Sequence, residues 1–408
     1  MYLTKEEERM LDGEEGEVAA DALRILVKFG EIFRAERLVK IKHAHISCTT
    51  WTVEYALVDW LNDLVKRDAK VRVPASTMVT NIDLDLWKKL GISEEWYKKQ
   101  MLLLDNHKKM GVKLELTCTP YFIPWVKLNF GDHVSWCESS AIIYGNSVMG
   151  IRTNRECCQS ALFAAITGRT PEFGFHLKEN RRGQVLVEVK AKMENTYDFS
   201  ILGYHLAPIL GLKTPVINGI KRVTVLDYTV LSAAFSTKAG ISMFHMVEHT
   251  PEAKTLDDAF QGDKPEDKIV FTQEDLEEGY KNFRYGDEKI DYVYIGCPHL
   301  NYEQIKEVAE LLKGKKIASG VTLWVGTSRS LKKRAEEEGY SRIIKEAGGH
   351  LISDTCGVII RHALGDPPGT YAFNCMKQVY YLRGNKGYIG SIKECVNAAI
   401  TGRWRVSK

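Results

Sequence analysis

The fold class turns on residues Asp291–Gly357, DYVYIGCPHLNYEQIKEVAELLKGKKIASGVTLWVGTSRSLKKRAEEEGYSRIIKEAGGHLISDTCG. Tyr292–Ile295 is a short apolar run ending at Gly296-Cys297-Pro298-His299. Tyr302–Lys313 places Ile305, Val308, Leu311 and Leu312 on one stripe, which is helical spacing. Val321–Val325 predicts a second strand, Ser328–Ala347 a charged helix, and Leu351–Ser353 a third strand running into Asp354-Thr355-Cys356-Gly357. Strands alternating with helices build a parallel sheet, and ligands sit outside the carboxyl ends of its strands. Cys297 and Cys356 therefore fall where such a sheet binds something.

The same grammar extends outward. Helices are expected at Thr4–Leu11 and Glu15–Phe33. A strand at Leu38–Ala44 leads into His45-Ile46-Ser47-Cys48-Thr49-Thr50, then helix Val53–Lys66. A strand at Val71–Val73 leads into Pro74-Ala75-Ser76-Thr77 and Asn81. Helix Glu94–Met110 precedes strand Val112–Leu116, which ends in Thr117-Cys118-Thr119-Pro120-Tyr121. The stretch Trp136–Glu156 mixes hydroxyls, amides, an acid and two arginines with apolar residues, as the wall of a polar pocket would. Helix Cys157–Thr167, strand Val185–Lys192 and helix Tyr197–Gly211 follow. Arg222–Thr229 is strand-like, Ser232–Ala239 a small-residue helix followed by Ile241–Val247, and Asp257–Lys268 a surface excursion. The chain closes through Asn374-Cys375-Met376-Lys377, a basic turn at Arg383–Gly387, and helix Ser391–Thr401. Three α/β lobes are expected, at 1–135, 136–285 and 286–408.

The 408 residues are 44% hydrophobic and 27% charged, with net charge +3. This is a globular composition with too little positive charge to argue for nucleic acid or an acidic membrane. No apolar run reaches the roughly 18 residues of a membrane helix. The charged N-terminus is unlike a signal peptide, so a cytoplasmic protein is expected. The nine cysteines include no C-x-x-C pair, and their odd count in a reducing compartment indicates neither a disulfide framework nor a zinc knuckle. Buried filler is the default for most of them.

Cys118, Cys297 and Cys356 each follow a strand and are bordered by turn formers. Three thiolates converging at strand ends suit an iron–sulfur cluster. Such a cluster keeps one open iron, able to act as a Lewis acid on a substrate hydroxyl. Zinc is the competing metal, with His45, His133, His299 and the His245/His249 pair available, but His245–His249 lacks the order of the zinc-protease helix. A Cys137 nucleophile near His133 competes as well, and so does a set of unrelated core cysteines. Arg152 and Arg155 flank Thr153-Asn154 and can clamp a carboxylate or phosphate. Ser139, Ser140 and Asn146 stand beside them in sequence. Ser47, Ser76 and Thr77 follow strands and can bind phosphate oxygens or simply cap turns. Asn81, Asn154 and Lys377 complete the substrate-binding candidates. Glu138 and Ser139 are the acid–base candidates. No phosphate-loop or dinucleotide motif occurs.

Taken together, Thr117–Tyr121, Glu138–Ala141 with Asn146-Ser147, Arg152–Glu156, Gly168–Pro171, Ile295–His299 and Asp354–Cys356 resemble the aconitase X family, over nearly the whole chain. The resemblance implies a divergent aconitase-superfamily fold, α/β with several doubly wound parallel or mixed sheets around a central cleft. It implies an iron–sulfur cluster, 4Fe-4S or, as isolated, 3Fe-4S, on Cys118, Cys297 and Cys356. It also implies a hydro-lyase that dehydrates (R)-5-phosphomevalonate to trans-anhydromevalonate 5-phosphate in a modified mevalonate route to isoprenoids. In the archaeal two-subunit branch a separate small subunit closes the site and supplies the catalytic serine. Fused single-chain relatives act on cis-3-hydroxyproline, and a chain ending at 408 residues favours the two-subunit branch. The turn Ile46–Thr50 departs from the family in lacking a glycine. Two further readings stay open: a dehydratase of another hydroxy acid and a non-catalytic scaffold subunit.

Overall fold

The computed structural model describes residues 1–48, 50–78, 81–382 and 385–406, with the side chains of all but 50–54 among these. Thr49 and part of the basic turn at Arg383–Gly387 lie outside the described residues. In chain order the strands are β1 (Leu38–Lys40), β2 (Ala44–Ile46), β3 (Ala75–Thr77), β4 (Ser135–Trp136), β5 (Arg169–Pro171), β6 (Val185–Val189), β7 (Pro215–Asn218), β8 (His245–Met246), β9 (Asp267–Phe271), β10 (Gly286–Lys289), β11 (Tyr292–Leu300), β12 (Thr322–Thr327), β13 (His350–Ile352), β14 (Thr370–Phe373), β15 (Lys386–Ile389) and β16 (Arg403–Val406).

They form three parallel sheets, ordered β3-β2-β4, β8-β7-β6-β9 and β13-β12-β11-β14-β15. Two antiparallel pairs, β1-β5 and β10-β16, join distant parts of the chain. The fold is therefore α/β, as expected. β11 is central to the last sheet, and Val293 and Ile295 pack into one core while Tyr292 and Tyr294 pack into another. A strand covered on both faces has to be apolar throughout, which is why its short run was readable. The helix Tyr302–Leu312 starts at a reciprocal Asn301/Gln304 cap and buries Ile305, Val308 and Leu312 against this sheet.

Some elements differ from the sequence expectation. The charged helix splits into Arg329–Glu337 and Tyr340–Ala347, because Gly339 between them takes a left-handed φ of +86°. Val112–Leu116 is not a strand: its pairing is limited to an isolated bridge between Lys113 and Ser76. Val71–Val73 precedes the true strand, β3. Arg222–Thr229 runs into the helix Val225–Lys238, which Thr224 and Asp227 cap and which buries Leu231, Ala234 and Phe235. The expected surface excursion instead ends in β9, an edge strand whose outward residues are exposed. Cys48 and Cys158 form a disulfide with Cα atoms 5.5 Å apart, which corrects the expectation of none. The packing of the helix Cys158–Thr167 on β2 makes that contact, and no spacing rule encodes it.

Three large hydrophobic cores organise the described residues, beside smaller ones such as that around Tyr294 and Tyr371. The first joins the N-terminal helices to β2 and also takes in the helix Cys158–Thr167. The second surrounds β6 and β7, and the third surrounds β11 and β12. Asp83 bolts the first region to the third, accepting from Lys332 Nζ and from the Ser353 amide, each at 2.8 Å. The helix Met376–Tyr380 links the third to the second, its Met376 amide donating to Ser200 Oγ at 3.0 Å.

Candidate active site

Cys118, Cys297 and Cys356 meet at the seam between the first and last sheets. Each loop contains one residue in the left-handed region, one or two positions before its cysteine: Leu116 (φ +41°), Gly296 (φ +145°) and Asp354 (φ +58°). Such backbone persists where the surroundings over-determine it, commonly at functional sites. At Gly296 the need is steric as well, since a Cβ there would lie 2.7 Å from the Gly326 backbone. The β11–β12 register breaks between Ile295 and Leu300. That irregularity takes Cys297 and His299 out of the regular ladder.

Hydrogen bonds tie the loops together. The His299 amide donates to Cys118 Sγ at 3.3 Å. Burial pushes the His299 imidazole down to about 4, so the ring is neutral. Its Nε2 lies 2.8 Å from the Thr355 carbonyl, which only accepts, so Nε2 carries the hydrogen. Nδ1 then accepts from Thr117 Oγ1 at 3.0 Å. Tyr294 shares its hydroxyl proton between the Gly296 and Thr355 carbonyls at 3.3 and 3.4 Å. Asn374 Oδ1 accepts from the Gly296 amide at 3.2 Å.

The three cysteines retain some solvent contact yet sit deep among protein groups. Burial pushes the Cys118 and Cys356 thiols up, while the Val358 and Ile359 amides partly hold Cys356 back. Cys297 is pushed up by a hydrogen bond with Cys375 and by burial. Cys375 also takes hydrogen bonds from Ser200 Oγ at 3.8 Å and the Lys377 amide at 3.5 Å. Among the described residues no three His, Cys, Asp or Glu side chains are grouped to hold a single ion. The donor chemistry fits an iron–sulfur cluster: three soft sulfurs, amide donors to two of them, and a partly open approach.

A charged pair flanks the sulfurs. Glu138 caps the helix Ser139–Tyr144, and its Oε1 accepts from Ser140 Oγ at 3.0 Å and from Lys377 Nζ at 3.4 Å. Lys377 Nζ also donates to Ser139 Oγ at 3.0 Å. Burial pushes the Glu138 carboxyl up, but Lys377 and Ser140 outweigh it and hold the group below its usual value. Both charges act on Cys118 and on Cys356. Arg155 lies solvent-exposed at the rim, donating to the Ile241 carbonyl at 3.1 Å with its charge toward Glu138 and Tyr381.

The other expected site residues are placed differently. Asn146 braces Thr153 and Ser242 and takes a bond from buried Arg181. Asn154 holds the Phe173–Phe175 turn. Arg152 donates to the His176 carbonyl and lines a separate groove of about 900 Å³ with Lys178, Glu252 and Lys254. Ser76 is buried between His45 Nδ1 at 2.7 Å and His43 Nε2 at 3.3 Å. Thr77 Oγ1 bonds the Ile46 carbonyl at 2.7 Å. Asn81 is buried, and the Ser47 carbonyl accepts from Cys137. Tyr294, Asn374 and Cys375 are site residues to which sequence reasoning assigned no role, and His299 was weighed there only as a zinc ligand. Its place two residues after Cys297 was the available signal for His299.

Three family models match along the chain: Aconitase X first domain over residues 1–179, second domain over 183–281 and third domain over 290–401. The phosphomevalonate dehydratase large subunit of Methanosarcina mazei is 37% identical, covering 99% of this chain and 98% of that one. The cis-3-hydroxy-L-proline dehydratase of Pseudomonas aeruginosa is 30% identical, covering 97% of this chain and 70% of that one. The crystal structure of Thermococcus kodakaraensis aconitase X (holo-form) superposes with a TM-score of 0.88 at 36% identity, covering 98% of this chain and 100% of that one. With all three domain models matched in order and a solved member superposing end to end, the chain belongs to the aconitase X family.

Proposed function

We propose that this chain is the large, catalytic subunit of a cytoplasmic iron–sulfur hydro-lyase that dehydrates (R)-5-phosphomevalonate to trans-anhydromevalonate 5-phosphate. The observation that carries the proposal is the meeting of Cys118, Cys297 and Cys356 beside the Glu138–Lys377 pair. The full-length likeness to the large subunit from M. mazei supports the substrate, since the hydroxyproline dehydratase is the more distant relative.

Cys118, Cys297 and Cys356 would hold the cluster. Bound there, it supplies Lewis acidity toward the substrate hydroxyl. Dehydration removes the C2 proton next to the carboxylate, forms the C2–C3 double bond and releases the C3 hydroxyl as water. Lys377 and Arg155 neutralise the anionic ends of the substrate, and the Ser139 and Ser140 hydroxyls orient its oxygens. Glu138 keeps Lys377 charged and pointed at Ser139. A serine from a separate small subunit takes the proton, so the isolated chain is inactive.

The test is anaerobic assay of the chain with its small-subunit partner. Dehydration of phosphomevalonate is expected, with none when either component is omitted. Turnover of cis-3-hydroxy-L-proline in place of phosphomevalonate would overturn the substrate. A colourless protein without iron, even after reconstitution, would overturn the cluster.

A further inference from the structure

His299 touches all three cysteine loops. It lies two residues after Cys297, its amide donates to Cys118 Sγ, Thr117 next to Cys118 donates to its Nδ1, and its Nε2 donates to the carbonyl of Thr355 next to Cys356. The ring is 1% exposed, so water cannot replace these bonds. Thr117 Oγ1 gives its only proton to His299, so the Thr119 hydroxyl and amide must both donate to it, at 3.0 and 3.2 Å. The Cys118 turn is thereby closed on itself and held to the ring. The same loops carry the left-handed residues Leu116 and Asp354, which spring to easier conformations unless held.

We infer that His299 is the positioning residue of the metal centre: it sets the relative placement of the three cysteine loops and thereby the retention of the cluster. The inference rests on the assignment of Cys118, Cys297 and Cys356 as cluster ligands. The imidazole is not itself a ligand, because both ring nitrogens are engaged with protein. Outer partners of metal ligands commonly change metal affinity by about 10–100-fold. One neutral hydrogen bond is worth about 1 kcal/mol, or roughly 5-fold.

The experiment compares wild type, His299→Ala, His299→Gln and Thr117→Val after anaerobic reconstitution. It reads iron per chain, the electron paramagnetic resonance signal and the rate of iron loss to a chelator. His299→Ala is expected to lose iron at least 10-fold faster with a broadened signal. Thr117→Val should lose it about 5-fold faster. His299→Gln, whose amide can still donate to Thr355, should recover part of the difference. Wild-type retention in His299→Ala overturns the inference. If that variant does not fold, wild-type retention in Thr117→Val overturns it. A wild type that takes up no iron removes the cluster assignment itself, a distinct result.

Discussion

Lys377 shows why a charge beside the sulfurs is structural and chemical at once. Its side chain is 13% exposed and that of its partner Glu138 17%. Removing one member of a pair this deep leaves the other uncompensated, a loss of about 3–5 kcal/mol. Lys377→Met is expected to destabilise the chain by about that much in urea unfolding. Glu138→Gln in the same background should restore much of it, since the stranded charge is gone. Strictly additive losses in the double-mutant cycle would refute the coupling. The three cysteines were legible at this scale because each follows an apolar run and is bordered by turn formers, although the run ahead of Cys118 is no strand and Cys297 lies within β11. The positioning role of His299 and the part played by Cys375 were not, because they exist only through contacts between segments far apart in sequence. Asn146, Arg152 and Ser76 show the converse. Polar residues in a polar stretch look like ligands until their hydrogen bonds prove to be spent on the backbone and on each other.

Elements were most readable where one face meets one core, as in the helices Tyr302–Leu312 and Glu17–Ile32. Short strands were least readable, since β3 and β4 owe their pairing to partners elsewhere and not to their own three or two residues. Two contacts at this scale hold the first region to itself. Arg169, in the Gly168–Pro171 motif, is 4% exposed and donates to Glu7 at 2.8 Å, tying the first helix to β5. Arg169→Ala strands Glu7 and should cost about 3–5 kcal/mol; a loss under about 1 kcal/mol, the range of a surface pair, would show that water solvates the carboxylate instead. The Cys48–Cys158 bond ties the end of β2 to the helix Cys158–Thr167. Of nine cysteines seven are free, so denatured, unreduced protein should titrate seven thiols, and nine would show that the pair is reduced in solution. Reduction is expected to lower stability by about 2–4 kcal/mol.

At the scale of the whole molecule, the large cores are joined across the loops that carry the three cysteines, and the sequence carried this only as an alternation of strands and helices. What lay hidden was which strand ends face each other, a property of contacts such as Asp83 with Lys332 and Ser353. Burying polar residues at these junctions has a consequence for acid stability. Burial pushes His43 down to about 3 and His45 and His107 down to about 4. His43 faces His45 and Lys113, which push it the same way, and His45 faces Glu138, which only partly opposes burial. His107 donates Nδ1–H to the Leu103 carbonyl at 2.8 Å, a neutral anchor. In the unfolded chain each imidazole titrates near 6.5. The folded values are lower, so between about pH 6.5 and 4 the unfolded state binds more protons. Stability is fully present above that window and is lost as pH falls through it, by up to about 1.4 kcal/mol per pH unit for each histidine. Urea unfolding at pH 7 and at pH 5 should show a clear fall, and His107→Gln should reduce its slope by one proton. Equal stability at the two pH values would mean that these rings take up protons without unfolding, and that the interior admits water where the structure packs it closed.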